Sequence, residues 1–394
     1  MDAAPRANVL RLAVSQALML TAIVMSMAVA GIIGAQMAPD PGLATLPIAA
    51  MVVGVAFASL PAGLFMRRAG RRTGFLLGAT IGVLASLLCV YALQVQSFAL
   101  FVAGHLLLGS YQGFANYYRF AAVEAVATAD SGKAISLVVA GGVVAAFAGP
   151  QVGQWGRDWL AAVPFAGAYL LQALASAAAL AMLAGLRLPD VAAARSGAAR
   201  PLAVVLRQPA LLMSIFGAAV GYSAMIMAMT ATPLAMLGCG LPGTSVTPVI
   251  QWHVVGMFAP SFFTGNLIGR YGAPRIMQAG FALLLAHVAV AVSGFEFLHF
   301  LSALVLLGLG WNFAFIGGTS LLTQTYRPAE QLRVQMVNEF VVFGLVAAAS
   351  LSAGWLYARF GWILLNLSMI PLLLVALVAA TGMARGQTAI LSAR

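Results

Sequence analysis

Apolar stretches of about 20 residues follow one another along this chain with only short polar breaks, and that succession limits the fold more than any single motif. Crossing a hydrocarbon core roughly 30 Å thick takes about 20 mostly apolar residues. The breaks divide the chain into about twelve such spans, near residues 9–36, 43–66, 73–94, 97–119, 134–154, 161–186, 208–236, 246–269, 274–293, 299–324, 333–357 and 361–384. Composition removes the soluble alternative. With 62% hydrophobic and 7% charged residues, a chain of 394 residues cannot hide its apolar surface in one soluble core. A bilayer excludes open sheet edges, so the spans are expected to be helices, giving an all-α membrane protein of about twelve transmembrane helices.

Arg6 and Arg11 ahead of an apolar run that ends near Ala28-Val29-Ala30 have the outline of a cleaved signal peptide. The apolar stretch is longer than the usual signal core of about 7–15 residues, and the span count becomes odd without it, so it is read as the first span. Numbering the loops alternately puts all 20 basic residues except Arg157 and Arg359 on one side. The positive-inside rule then places both termini and the long central loop in the cytoplasm, in a bacterial inner membrane. A net charge of +11 is explained by that topology and by contact with anionic lipid, without nucleic acid. The two cysteines, Cys89 and Cys239, form neither a disulfide framework nor a zinc motif.

One sizeable polar interval, residues 187–207, separates six spans (residues 1–186) from six (residues 208–394) and is read as a cytoplasmic linker. Each half repeats a loop after its second span: GLFMRRAGRR from Gly63 to Arg72, and GNLIGRYGAPR from Gly265 to Arg275. Both have Gly, three residues, a variable position, Arg, one residue and Gly, which sets Arg68 and Gly70 against Arg270 and Gly272. Small residues there let helices and a tight turn approach closely, while the arginines anchor the loop at the surface.

Over essentially its whole length the sequence resembles the major facilitator superfamily, whose signature between the second and third helices is matched by Gly63, Arg68, Gly70, Arg71 and Arg72. The position usually acidic in that signature is Arg67 here and Gly269 in the second copy, which removes the basis for a gating salt bridge from it. The resemblance implies two six-helix bundles around a central cavity that opens alternately to each side, with substrate near the midplane.

Ionisable residues within the spans are few: His105, His253, His287 and, near the end of the eleventh span, Glu339. Glu339 is a candidate for proton coupling, and its position beside Arg333 suggests a structural ion pair. Asn312, Asn338, Gln172 and similar residues are read as ties between helices. The seventh span carries Met225 and Met229, four residues apart, and the eighth carries His253 and Met257 at the same spacing, so each pair shares a helix face. Adjacent antiparallel spans put the four at similar depth, and thioether sulfur with imidazole suits monovalent copper better than cations that prefer oxygen. With 18 methionines, a Met pair at that spacing is expected about once by chance, whereas a His four before a Met is expected roughly 0.2 times. Met227, between the pair, points to another face.

The Met-x-x-x-Met and His-x-x-x-Met arrangement is similar to the CcoA-like bacterial copper importers within the superfamily. That resemblance implies import of copper for the assembly of haem-copper cytochrome c oxidase, with Met225, Met229, His253 and Met257 as ligands of the transported ion. Copper is then substrate and no cofactor is permanently bound; a periplasmic or cytoplasmic copper carrier is an expected partner of an otherwise monomeric protein in lipid. Related carriers of that group move other cargo, riboflavin among them. Gly149 and Pro150, in GGVVAAFAGPQVG, resemble the Gly-Pro motif of proton-coupled drug exporters, but such exporters usually have a buried Arg in the fourth span, where this chain has His105. The alternatives are therefore a proton-coupled carrier of a small organic molecule, by riboflavin-like uptake or drug export, and a membrane copper sensor or assembly subunit. No nucleophile and base, phosphate-binding loop or carboxylate dyad points to an enzyme.

Overall fold

The computed structural model describes residues 3–40, 43, 46–160, 162–188 and 199–392. Among them there is no strand. Helices α1 (Ala3–Met37), α2 (Leu46–Ala69) and α3 (Arg71–Gln94) are followed by α4 (Phe98–Ala115) with its continuation α5 (Tyr118–Glu124), then α6 (Ser131–Trp155) and α7 (Ala166–Ala184). After the short α8 (Leu202–Leu206) come α9 (Pro209–Gly238), α10 (Val246–Phe258), α11 (Ser261–Tyr271), α12 (Ala273–Ser293), α13 (Phe297–Thr323), α14 (Gln331–Leu367) and α15 (Ile370–Ser392). Ten helical runs among the described residues are long and apolar enough to cross a membrane. The last of them, Gln331–Arg385, has 55 residues. At 1.5 Å per residue it is far too long for one crossing, and Gly361, with φ 72° and ψ −178°, turns the chain within it. Helices α10 and α11, of 13 and 11 residues and broken around Pro260, are together long enough for one further crossing, which would bring the number to twelve.

Local sequence sets the ends. Ser97 caps α4, its hydroxyl accepting from the backbone N–H of Leu100 at 3.4 Å. Pro209 and Pro274 sit in the first turns of α9 and α12, where a missing N–H costs nothing. The repeated loop has one backbone solution in both halves: Gly70 (φ 86°, ψ 159°) precedes α3 and Gly272 (φ 83°, ψ 151°) precedes α12. That region is essentially closed to residues with a Cβ.

Contacts divide the chain into two compact units. The first is Met1–Ala127, Leu137–Ala193 and Gln335–Ala347; the second is Thr128–Ser136, Ala194–Val334 and Ala348–Arg394. Within the first, α2 lies on α4 and α3 on both α4 and α7. The piece 335–347 joins it because α2 meets α14 at Gly63, where a Cβ would stand 2.8 Å from Met336 Sδ and from Tyr117 Oη. Within the second, α13 is the central helix, packed by α9, α10 and α12. The piece 128–136 joins that unit in the corresponding way, since a Cβ on Gly265 would come within 2.6 Å of Gly132 O and 2.8 Å of Ser136 Oγ. The first glycine of each repeated loop thus marks a close helix crossing. Of the linker expected over 187–207, residues 189–198 lie outside the described residues.

Candidate functional site

The middle of α13 reads GLGWNFAF, and its two glycines thin the helix on opposite sides. A Cβ on Gly308 would approach His253 O at 2.5 Å and Met257 N at 2.7 Å, so α10 lies directly against it. A Cβ on Gly310 would stand 2.8 Å from Leu284 and 2.9 Å from Gly280 O, which places α12 on the other flank. Between these contacts Trp311 and Phe315, one helical turn apart, stack with centroids at 5.0 Å and planes 12° apart. Tyr222 of α9 meets both rings edge-on at 5.2 and 5.3 Å, and Phe258 of α10 meets Trp311 at 5.6 Å. Offset and edge-to-face geometries of this kind are the ones that aromatic quadrupoles favour. Trp311 is 2% exposed, and its indole N–H finds no acceptor among the described residues.

Beside this cluster Asn312 holds the broken eighth span together. Its Nδ2 donates to Met257 O and to Ser261 Oγ, both at 2.6 Å, and its Oδ1 accepts from Thr264 Oγ1 at 2.7 Å. Pro260 ends the regular ladder between α10 and α11, so Asn312 serves a backbone carbonyl that an unbroken helix would have satisfied itself. Helices α9, α10 and α13 carry no Asp, Glu, Lys or Arg at all. The aromatic cluster is therefore set on helices without carboxylate, lysine or arginine side chains.

His253 and Met257 are buried on the side of α10 that faces α13. His253 Nδ1 shares a hydrogen bond with Leu304 O at 2.8 Å, while its Nε2 meets no partner among the described residues. Met225 is buried at 2% exposure and Met229 is half-buried on α9. One turn before Met225, Gly221 packs on Ala314, Leu284 and Phe281. Helices α9 and α10 touch each other little, and both pack chiefly on α13. The structure thus brings His253 and Met257 to one face and ties both methionine-bearing helices to a common neighbour. Among the described residues, no group of three or more His, Cys, Asp or Glu could hold a metal.

Within the first unit the buried charged residues are paired. Arg71, at the start of α3, pairs with Glu124 and donates to Gln335 Oε1 at 2.5 Å. Arg119 of α5 donates to Glu339 at 2.6 Å and to Asn116 O at 2.9 Å, and Asn338 donates to the same Glu339 oxygen at 2.8 Å. Glu339 is fully buried and Arg333 is exposed. The ion pair expected beside Arg333 is made with Arg119 instead, because Arg333 lies on an outward face of α14. Arg119, the last residue of the span expected over 97–119, is buried where α5 prolongs α4.

The other sequence candidates have plain surroundings. His105 is fully buried, with Nδ1 2.9 Å from Phe101 O and Nε2 3.1 Å from Tyr169 Oη. Gly149 gives α6 its close approach to α1, a Cβ there meeting Val24 at 2.6 Å, and Pro150 lies inside α6. Arg68 and Arg72 are exposed, and Arg72 donates to Ala184 O at 2.6 Å. Arg270 lies over the Tyr271 ring at 5.2 Å. Sequence reasoning missed Tyr222, Phe258, Trp311 and Phe315. A signal existed: tryptophan normally anchors spans at the membrane interface, and Trp311 stands in the middle of one.

Apolar spans in succession, a loop repeated in both halves and an aromatic site on helices without Asp, Glu, Lys or Arg define a multi-pass membrane carrier. Residues 12–331 match the Major Facilitator Superfamily, and the chain belongs to that superfamily. It is 40% identical over 378 residues to the riboflavin transporter RfnT of Brucella anthropi, covering 95% of each chain. It is also 29% identical to an uncharacterized MFS-type transporter, YdeG, of Bacillus subtilis, over 89% of this chain and 86% of that one. Among solved structures, the human organic anion transporter MFSD10 superposes with a TM-score of 0.74 at 15% identity, over 96% of this chain and 100% of that one. The E. coli fucose:proton symporter FucP (N162A) gives a TM-score of 0.72 at 14% identity, over 95% of this chain and 97% of that one. At such identities these two likenesses concern the fold.

Proposed function

We propose that this carrier moves a flat, uncharged organic molecule of the riboflavin type into the cell by alternating access. The observation that carries the reading is the 40% identity to a riboflavin transporter along 95% of both chains. The aromatic cluster of Tyr222, Phe258, Trp311 and Phe315 supplies its physical counterpart. Flat conjugated rings are held by stacking and edge contacts, and such a site needs few polar groups to fix orientation. Copper import through Met225, Met229, His253 and Met257 is the second reading. It is favoured by one observation, the buried His253 Nε2 without a partner, since a neutral imidazole nitrogen is a competent ligand for a soft ion.

Uptake of labelled riboflavin and of labelled copper, in cells lacking their own systems, separates the two. The riboflavin reading expects accumulation of riboflavin with the wild type and with Met227→Ala, and no copper signal above the empty vector. Copper uptake that is lost in Met225→Ala and His253→Ala, with no riboflavin uptake in any strain, would transfer the assignment to copper. Exchange by purified protein in liposomes distinguishes a carrier from a membrane sensor.

A further inference from the structure

The charge-free surroundings of Trp311 bear on what part of a substrate is read. Helices α9, α10 and α13, which carry the aromatic cluster, hold no Asp, Glu, Lys or Arg. Elsewhere among the described residues the buried arginines are Arg71 and Arg119, and each is held by a carboxylate, Glu124 and Glu339 respectively. An anionic group entering such surroundings loses its hydration and gains no counter-ion, which is costly in a low-dielectric site. Trp311 offers the opposite to a neutral ring. Its face is already taken by Phe315 at 5.0 Å, and what it leaves unused is a buried indole N–H that has no acceptor of its own among the described residues. A buried donor of that kind is costly unless an acceptor meets it.

We infer that the carrier recognises the uncharged tricyclic ring of a flavin rather than its polyol tail, and rejects the phosphorylated form, with Trp311 as the specificity-determining residue. The ring is taken up against the aromatic cluster, where the indole donates its Nε1–H to a carbonyl oxygen or ring nitrogen on the edge of that ring. The ribityl chain contributes little, because hydroxyl groups add nothing to a stacking contact. A phosphate ester on that chain is disfavoured, because among the described residues both buried arginines are already held by carboxylates. This inference rests on the riboflavin reading proposed above and goes further by stating which portion of the molecule is read.

The test is exchange of labelled riboflavin by the purified full-length protein in liposomes, with unlabelled competitors. Lumiflavin, which keeps the ring and lacks the polyol, is expected to compete within about tenfold of riboflavin, and ribitol not at all. Flavin mononucleotide is expected to be weaker by on the order of 100-fold. Trp311→Phe keeps a flat face and loses the donor, so half-saturation rises about tenfold while the maximal exchange rate is retained. That split separates a recognition role from a purely structural one. Trp311→Leu, which loses both, is expected to lose on the order of 100-fold; if it does not fold, the Phe variant decides. Trp355→Phe, at a residue 63% exposed, is expected to leave exchange unchanged. Flavin mononucleotide competing as well as riboflavin, ribitol competing where lumiflavin does not, or unchanged half-saturation in Trp311→Phe would each overturn the inference while the riboflavin reading stands. No riboflavin exchange by the wild type would overturn both.

Discussion

Arg119 and Glu339, 220 residues apart in sequence, meet as an ion pair at 2.6 Å with the carboxylate fully buried. Two charges taken out of water repay their desolvation only while they remain together, so the pair is costly to break and much less costly to replace. Arg119→Leu is expected to destabilise the protein by about 3–5 kcal/mol, because it leaves Glu339 buried without its cation. Glu339→Leu in the same background is expected to recover a large part of that loss. Thermal unfolding in detergent, followed by tryptophan fluorescence, measures both; a double variant no more stable than Arg119→Leu would show that the pair is not the source of the effect.

The contact of α2 with α4 depends on two glycines facing opposite backbones. A Cβ on Gly54 would overlap the carbonyl oxygen of Leu106, and one on Gly109 the carbonyl oxygen of Met51. Backbone cannot yield as a flexible side chain can, so Gly109→Ala is expected to cost about 3 kcal/mol, the upper end for overpacking. Gly354→Ala, where nothing lies within 4 Å of the added Cβ, is expected to be neutral or slightly stabilising. The monodisperse yield and the melting temperature of the two variants check this difference.

What the sequence disclosed, and what it did not, follows from the range of the interactions involved. Spans are written locally, as apolar runs between polar breaks, and the repeated loop is written locally too, so Gly70 and Gly272 could be matched before their shared backbone geometry was visible. The partner of Glu339 is not local. Proximity in sequence pointed to Arg333, but helix rotation turns that residue outward and brings in Arg119 from another helix. Likewise Met225, Met229, His253 and Met257 could be assigned to two helices by spacing, whereas the packing of both helices on α13 is a tertiary fact. The aromatic cluster was hidden for the same reason. Tyr222, Phe258 and Trp311 lie on three helices, and only the anomalous depth of Trp311 gave a local hint.

Asn312 makes three hydrogen bonds across the break between α10 and α11. Asn312→Leu removes all three and leaves Met257 O and Ser261 Oγ without that donor. The single hydroxyl hydrogen of Thr264, which Asn312 Oδ1 and Pro260 O compete for at 2.7 and 2.8 Å, is then given to Pro260 O alone, which limits the damage. Interhelical hydrogen bonds in membranes are individually modest, so a loss of about 1–2 kcal/mol is expected rather than the sum of three full bonds. A melting temperature equal to that of the wild type would mean that the break is held by packing alone.

Outside the spans, Glu330 receives hydrogen bonds from Arg200 at 2.6 and 2.8 Å, from the Arg200 backbone N–H at 2.8 Å and from the Arg327 backbone N–H at 3.0 Å. The Arg200 guanidinium is the main cause that holds its carboxyl at about 2, below the ordinary 4.5. A carboxyl with a depressed value binds its proton less readily in the folded protein than in the unfolded chain, so its contribution to stability is complete above about 4.5 and is lost as pH falls towards about 2. Wild-type melting temperature is therefore expected to fall more steeply from about pH 5 to about pH 3, the upper part of that window, than that of Glu330→Gln, which has nothing to titrate there. Parallel melting curves for the two proteins across that range would show that this junction between α13 and α14 contributes no acid sensitivity. Arg200→Ala distinguishes the ion pair from the two backbone bonds, since it removes the guanidinium and leaves the amide donors in place, and is expected to flatten the pH dependence to nearly that of Glu330→Gln.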